Sequence, residues 1–291
     1  MKTLKWAEIA NPVSKERYSL LSEALKAAGV DNEVSFIESS IDSFSTDLRD
    51  AKQKFDQLLI GNPFTELAFD PKAELTSSIL HVRAIDALSK TPDGHWWPRS
   101  ILHDAFIQSL AHKVKVVDMS GTALIVGAVG PARAVITALG RIGFTKFNLA
   151  DRFQERGQML IKDLRRSFFN MTFEFVPQSG ITALPGMHSL LVNCTPFNEE
   201  DELLQEMQYF NFLKEGGSVV DLVTVPPKTP LLVEAEHIGA RIVRGDEVAA
   251  AVDLLWAQLV TGKKLELPGY DEQLYERLSK LTASAYKPPN E

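Results

Sequence analysis

Between Leu124 and Arg133 an apolar run breaks into a glycine-bearing turn and a helix start: Leu124-Ile125-Val126-Gly127-Ala128-Val129-Gly130-Pro131-Ala132-Arg133. The pattern approximates G-x-G-x-x-A. In that pattern the first glycine makes a tight turn, the second lets backbone approach a pyrophosphate, and the third position packs helix on strand. Gly127 and Ala132 meet the first and third requirements. The second falls on Val129, whose branched side chain would crowd a pyrophosphate and resist a positive φ, with Gly130 beside it as partial relief. Pro131 suits a helix start but removes one amide donor. Asp151-Arg152 stands 24 residues after Gly127. An acid there accepts from a ribose hydroxyl, and an arginine meets a 2′-phosphate. The chemistry implied is weak binding of NAD or NADP; the alternative is a turn of the same shape that holds no nucleotide.

Other reactive side chains are less organised. His103-Asp104 is the best acid–base pair, but adjacent residues on a helix do not face each other, which favours surface or capping roles. His81 and His95 lack metal-ligand spacing, and no metal is expected. His188 and His237 read as ordinary loop or helix residues. Cys194 ends an apolar run and reads as a core filler, with no histidine placed near it in sequence to make it a nucleophile. Glu199 to Glu202 reads as an acidic helix start. Trp96-Trp97 suits either a cleft wall or alternating burial on a hairpin.

The elements that would position these residues alternate short apolar runs with helix-period segments. Strands are expected over Leu4–Ile9, Glu33–Ile37, Gln57–Gly61, Thr122–Val126, Lys146–Ala150, Thr172–Val176, Ser189–Asn193, Ser218–Val225 and Arg241–Val243, with a short strand or hairpin at Gly94–Trp97. Ser14 can cap a helix that Gly29 ends. Asp70-Pro71 reads as the start of a helix running toward Leu88. Further helices are expected over Leu102–Leu110, Ala132–Arg141, Gln158–Phe168, Glu200–Leu213 and Leu231–Glu236. Helices over Val248–Val260 and Asp271–Leu281 complete the set, and Pro288-Pro289 marks a frayed end. Repeated strand–helix–strand units imply a doubly wound parallel sheet. The join near Ala111–Ser120 is expected to be helical or short.

With 291 residues, the chain suits two domains. The net charge of −7 has the wrong sign for a nucleic-acid or anionic-membrane surface. One cysteine excludes an internal disulfide and points to a reducing compartment. The N-terminus lacks the apolar stretch of a signal peptide, and Thr122–Gly140 is too short and too interrupted to span a bilayer. A cytoplasmic protein is expected, with a homodimer compatible with the sequence.

A series of short motifs, in order along nearly the whole chain, resembles the shikimate dehydrogenase family. Asn11-Pro12 followed by a serine resembles its opening N-P…S-x-S. Ile60-Gly61-Asn62-Pro63 stands at V-T-x-P-x-K, and Ala84-Ile85-Asp86-Ala87 resembles A-V-N-T. Gly127 to Arg133 resembles G-A-G-G-A-A-R, and Ala150-Asp151-Arg152 resembles A-N-R. Asn193-Cys194-Thr195-Pro196 resembles N-A-T-P. Asp221-Leu222-Val223 with Thr229-Pro230-Leu231-Leu232 resembles D-x-V…T-P-L-L, and Gly245 opens the position of G-x-x-M-L-x-x-Q.

The resemblance implies two α/β domains: residues 1–110 plus 246–291 as a substrate-type domain, and 111–245 as a Rossmann-like dinucleotide-binding domain. It implies a small-molecule ligand in the cleft between them. It places cofactor contacts at Gly127, Ala128, Val129, Gly130, Asp151, Arg152, Thr195, Pro196, Val223 and Gly245. Substrate contacts fall on Ser14, Glu16, Asn62, Thr65, Asp86 and Val252. The family's catalytic lysine falls on Thr65, and its partner aspartate near Leu102, with Asp104 or His103 as displaced substitutes. Glu16 and Asp86 would repel a shikimate carboxylate. Losing the Lys–Asp pair removes the group that moves the hydroxyl proton. Three functions stay open: an NAD(P)-dependent oxidoreductase with a changed substrate, a catalytically silent binding or regulatory protein, and a genuine shikimate dehydrogenase aligned differently at Thr65 and Leu102.

Overall fold

The computed structural model describes residues 3–72, 77–114, 117–198 and 200–281. The first part of the chain runs β1 (Leu4–Ala10), α1 (Lys15–Ala27), β2 (Asn32–Glu38), α2 (Phe44–Lys54), β3 (Gln57–Ile60), α3 (Ser77–Val82), β4 (Ala87–Lys90) and β5 (Trp96–Arg99). These strands form one sheet in the order β2-β1-β3-β4-β5. β1 pairs in parallel with both β2 and β3, while β3–β4 and β4–β5 are antiparallel.

Helix α4 (Ile101–Val114) leads to the second sheet. There follow β6 (Thr122–Val126), α5 (Gly130–Ile142), β7 (Lys146–Ala150), α6 (Gln154–Ser167), β8 (Thr172–Val176), β9 (His188–Asn193), α7 (Glu202–Met207), β10 (Leu213–Asp221), α8 (Pro230–His237) and β11 (Arg241–Val243). The order β11-β10-β9-β6-β7-β8 is parallel throughout. It reverses between β6 and β9, the topological switch point at which doubly wound sheets bind ligands. Thr122–Val126 is buried at every residue, as a strand covered on both faces must be.

Two further helices end the described part of the chain, α9 (Gly245–Thr261) and α10 (Tyr270–Ser279). Ala249, Ala250, Trp256 and Ala257 of α9 join Tyr270, Leu274 and Leu278 of α10 in the core beneath the first sheet. Trp6 of β1 packs on Trp256 with ring centroids 4.7 Å apart. Val248 belongs instead to the core of the second sheet. Helix α4 is shared in the same way: Ile101 is buried with the first core, and Phe106, Leu110 and Val114 with the second.

Several elements depart from the sequence pattern. No helix runs from Asp70 to Leu88. The Asp70 carboxylate closes a turn by accepting from the Lys72 amide at 2.9 Å, α3 occupies only Ser77–Val82, and Leu88 lies in β4. The helix expected over Glu200–Leu213 stops at Met207. Phe210 takes a positive φ of 49°, and Leu213 already belongs to β10. Gly216 and Gly217 therefore lie inside that strand, where its register slips between Leu213 and Ser218. β10 ends at Asp221 rather than Val225. Glu199 and the Pro288-Pro289 end lie outside the described residues. Among the described residues, no helix is long and apolar enough to cross a membrane.

Candidate active site

The C-terminal ends of β1 and β3 face those of β9 and β10 across a cavity of about 250 Å³. From the first sheet it is lined by Glu8, Asn11, Ser14, Arg17, Tyr18, Gly61, Asn62, Thr65, Asp86 and Leu102. From the second come Pro131, Cys194, Thr195, Pro196 and Val223, and α9 adds Gly245, Val248 and Val252. Ser14, Asn62, Thr65, Asp86, Leu102, Val252, Thr195, Pro196, Val223 and Gly245, all singled out in the sequence, are thus brought together.

Glu16 is not among them. It starts the outer face of α1, about half exposed, with its carboxylate 4.0 Å from Arg277. One helical step along, Arg17 turns inward instead. Its Nε lies 3.1 and 3.0 Å from the two carboxylate oxygens of Asp253, and its Nη2 lies 2.8 Å from Asp253 Oδ1 and 3.0 Å from the Ala249 carbonyl. The Tyr270 hydroxyl donates to Asp253 Oδ2 at 2.8 Å. The acidity expected from Glu16 therefore does not enter the cavity; a guanidinium balanced by a buried carboxylate does.

A second unforeseen group is Glu8, in the middle of the apolar strand β1 and only 2% exposed. Its Oε2 accepts from the Ser14 amide at 2.6 Å. Burial raises its carboxyl to about 7, against the lowering effects of Ser14 and Arg17. Ser14 precedes α1 but makes no side-chain cap; its backbone is spent on Glu8. The one signal in the sequence was an acid at an inward position of Leu-Lys-Trp-Ala-Glu-Ile-Ala, a pattern equally open to a solvent-facing strand residue. Asp253 was hidden in the same way among the apolar residues of α9.

Asp86 sits at the head of α4. Its two oxygens accept from the amides of Ile101 at 2.6 Å and Leu102 at 2.7 Å. Burial raises it to about 6, with those two amides holding it down. Its acceptor positions are occupied by the helix it caps. His103 and Asp104 lie elsewhere on α4, lining a separate hollow with Arg99 and Arg141. Contrary to the helical-spacing expectation they do touch, His103 Nδ1 lying 3.0 Å from Asp104 Oδ1. His188 is a fully buried strand residue, not a loop or helix residue, bonded to Asn148 and the Phe212 carbonyl.

The glycine-bearing turn follows β6. Gly127 carries its positive φ, 96°, and a β-carbon there would meet Thr195 Cγ2 at 2.8 Å. Val129 is extended, with φ −123° and ψ 173°, and packs against the core of the second sheet. The strain expected of a valine at positive φ is therefore absent. Of the turn's amides, Gly127 donates to the Ala150 carbonyl and Ala128 to Asp151 Oδ2 at 2.5 Å. Those of Val129 and Gly130, at the positive end of α5, make no hydrogen bond among the described residues. Two amides aligned with a helix dipole fit a phosphate group.

Asp151 has its side chain fully buried. Besides Ala128 it accepts from the Phe153 amide at 2.7 Å and from Arg156 through both oxygens. Its carboxylate is turned back onto the loop rather than outward to a ribose. Arg152, paired with Asp201, and Arg156 remain about two-fifths exposed at that edge. On the opposite side, Asp221 fastens the strand ends. It accepts from Asn193 at 2.9 Å, Val223 at 3.1 Å and Thr229 at 2.6 Å, and burial raises it to about 6. Asn193 in turn accepts from the Thr195 amide and hydroxyl, setting Thr195 at the cavity wall. Cys194 is buried in the second core, which pushes its thiol up. Among the described residues, no group of three or more His, Cys, Asp or Glu is placed to hold a metal ion.

No family model matches the chain. Among curated proteins, it is 31% identical over 173 residues to the shikimate dehydrogenase (NADP(+)) of Shouchella clausii, covering 59% of this chain and 61% of that one. It is 29% identical over 196 residues to the enzyme of the same name from Geobacter sulfurreducens, covering 66% and 65%. The matches thus span just under two thirds of these relatives' length. Among solved structures, quinate dehydrogenase from Corynebacterium glutamicum in complex with NAD superposes with a TM-score of 0.78, 20% identity, and coverage of 96% and 99%. Shikimate 5-dehydrogenase from Thermus thermophilus in complex with NADP(H) and shikimate gives a TM-score of 0.74, 21% identity, and coverage of 95% and 100%. The 5-ketofructose reductase of a Gluconobacter strain gives 0.74, with 16% identity and coverage of 95% and 99%. The structural likeness establishes a shared two-sheet fold, and the sequence matches, at about 30% identity over part of each chain, make this chain similar to shikimate dehydrogenases.

Proposed function

We propose that the protein is an NAD(P)-dependent oxidoreductase acting on a CH–OH group of a small molecule, with little or no turnover of shikimate. The single observation that supports this is the composition of the shared cavity. It joins the strand ends of both sheets, yet it presents Thr65 and Leu102 where the family carries its Lys–Asp pair. A threonine hydroxyl cannot exchange a proton near neutral pH as an ammonium can, and leucine cannot hold one. Glu8 and Asp86 add carboxyl groups, and among the described residues the one guanidinium lining the cavity, that of Arg17, is already matched by Asp253. Such a lining favours a neutral or cationic hydroxy compound over a carboxylate.

In this reading residues 1–110 and 246–291 hold the substrate, and residues 111–245 hold the dinucleotide. The amides of Val129 and Gly130 receive the pyrophosphate, Arg152 and Arg156 flank the adenosine end, and Thr195, Pro196, Val223 and Gly245 flank the nicotinamide. When bound, the dinucleotide supplies the hydride acceptor. Binding is weak because Pro131 offers no amide and that of Ala128 is committed to Asp151.

Titration with NADH and NADPH, followed by thermal shift and fluorescence, tests the cofactor half, since ligand-linked stabilisation reports binding without turnover. Stabilisation by at least one of them is expected. None from either supports a silent binding protein instead. Shikimate with NADP is expected to give no appreciable turnover at neutral pH. Robust activity that survives removal of contaminating host enzyme would restore shikimate dehydrogenase as the function.

A further inference from the structure

We propose that Glu8 is the acid–base residue of the cavity, taking the hydroxyl proton of a neutral polyhydroxy substrate as that substrate is oxidised. The inference rests on the dehydrogenase reading above and assigns the role that Thr65 and Leu102 leave unfilled.

Geometry selects Glu8 from the groups that line the cavity. Asp86 has both oxygens occupied by the first amides of α4. The phenol of Tyr18 and the thiol of Cys194 are both pushed up by burial, away from neutral pH. Arg17 is held by Asp253 and is no base. Glu8 differs from all of these. One oxygen, Oε2, is anchored by the Ser14 amide, which fixes the carboxyl plane. The Ser14 side chain also bears on the carboxyl, and the other oxygen, Oε1, is on the Gly61 side of the cavity that Glu8 lines. It lies beside Gly61, where a β-carbon would come within 3.4 Å of it and within 2.6 Å of Ala10 Cβ. Glu8 and Gly61 both line the cavity, so the carboxyl stands at its wall.

The proton-accepting range is also suitable. Burial raises Glu8 to about 7, so both of its forms are populated near neutral pH. Charged and titratable groups face it from two helices: Arg17 and Tyr18 on α1, and Asp253 on α9. Arg17 favours the carboxylate and Asp253 opposes it.

The step balances as follows. The substrate O–H bond breaks and its proton passes to Glu8 Oε1. The C–H bond of the same carbon breaks with its electron pair, and that hydride passes to an oxidised nicotinamide dinucleotide. The C–O single bond becomes C=O. A neutral substrate fits because an anionic group would meet Glu8 and Asp86 with no unmatched cation among the described residues that line the same cavity.

The test compares the full chain with Glu8→Gln and Glu8→Asp, each first shown to unfold cooperatively. Infrared titration is expected to show a protonated-carboxyl band that disappears near pH 7 in the wild type and is absent from Glu8→Gln, beside bands of Asp86 and Asp221 that disappear at lower pH in both proteins. NADP-linked oxidation of myo-inositol, D-sorbitol and D-glucose is then followed from pH 5.5 to 9. At least one is expected to be oxidised, with kcat/KM rising about tenfold per pH unit below 7 and levelling above. Glu8→Gln should lower it a hundredfold or more and abolish the rise, with NADPH affinity unchanged within about twofold, and Glu8→Asp should keep the rise at a reduced rate. A Glu8→Gln variant that retains the rise overturns the assignment. So does a wild type that lacks the infrared band disappearing near pH 7, or that binds NADPH yet oxidises none of the probes. Loss of NADPH binding by the wild type would instead remove the dehydrogenase reading beneath it, and the fluorescence titration separates the two failures.

Discussion

Gly130 and Thr65 meet across the cavity mouth so closely that a β-carbon on Gly130 would lie 2.0 Å from the Thr65 hydroxyl oxygen and 3.2 Å from its Cβ. The next residue, Glu66, reaches over to Arg133, its Oε2 lying 3.3 Å from the guanidinium Nε. The loop after β3 is therefore seated on the first turn of α5, and the glycine is needed for approach rather than for its φ. Gly130→Ala is expected to destabilise the protein by about 1–3 kcal/mol, the cost of forced overpacking. Thr65→Ala placed in the same chain should recover more than half of that, because it removes the 2.0 Å contact. Urea denaturation of the two single variants and the double variant measures the coupling. Strict additivity would show that the two residues do not bear on each other.

The buried carboxylate of Asp151 has consequences for the choice of cofactor. Its oxygens are taken by Ala128, Phe153 and Arg156, so it offers little to a ribose hydroxyl. The exposed groups at that edge are Arg152 and Arg156, both cationic. NADPH is expected to bind about tenfold more tightly than NADH. Replacing both arginines by alanine should erase that preference and leave NADH affinity within about threefold. Calorimetry on both dinucleotides decides the matter, and equal affinities in the wild type would be the contrary result.

Val129 yields a different expectation from the one its position in the glycine pattern suggests. Read along the sequence, a valine at the second glycine position obstructs a pyrophosphate. In the fold it is extended and lies against the core of the second sheet, and its amide is one of the two at the helix start that make no hydrogen bond among the described residues. Val129→Gly should therefore change dinucleotide affinity by less than about threefold. It should cost about 1–2 kcal/mol of stability from lost burial and added chain freedom. A tightening of tenfold or more on calorimetric titration would show that the side chain stands in the ligand's path after all.

The contrast marks how far the sequence could be read. The parallel sheet was legible because Ala123–Val126 and Leu190–Val192 are continuous apolar runs, as expected of strands covered on both faces. The loop positions Asn62, Thr65, Thr195 and Gly245 were legible because ordered motifs carry them, and all four line the cavity. Glu8, Arg17 and Asp253 were not legible. A charged residue on a strand or helix reads as solvent-facing unless its partner is known, and Arg17 and Asp253 lie 236 positions apart. Glu16 was misplaced for a related reason: adjacent residues of a helix point about 100° apart, so a one-residue ambiguity moves a side chain from the wall to solvent. The helix expected from Asp70 failed because an aspartate before proline is equally suited to closing a turn.

The buried carboxyls also determine how stability responds to pH. Glu8 is raised from 4.5 to about 7, and Asp86 and Asp221 from 3.8 to about 6, in each case chiefly by burial. A raised carboxyl binds its proton more tightly in the folded chain than in the unfolded one. Its contribution is fully present below the unfolded value and is lost as pH climbs through the folded value. The protein is therefore expected to lose unfolding free energy between pH 5 and pH 8. Glu8 supplies on the order of 3 kcal/mol of that loss, at about 1.4 kcal/mol per pKa unit. Glu8→Gln keeps an oxygen for the Ser14 amide but cannot ionise. Relative to the wild type it should gain on the order of 2–3 kcal/mol on passing from pH 5 to pH 8. Urea denaturation of both proteins at the two pH values gives the difference directly. A stability difference that is the same at pH 5 and pH 8 would mean that Glu8 ionises as readily in the fold as out of it.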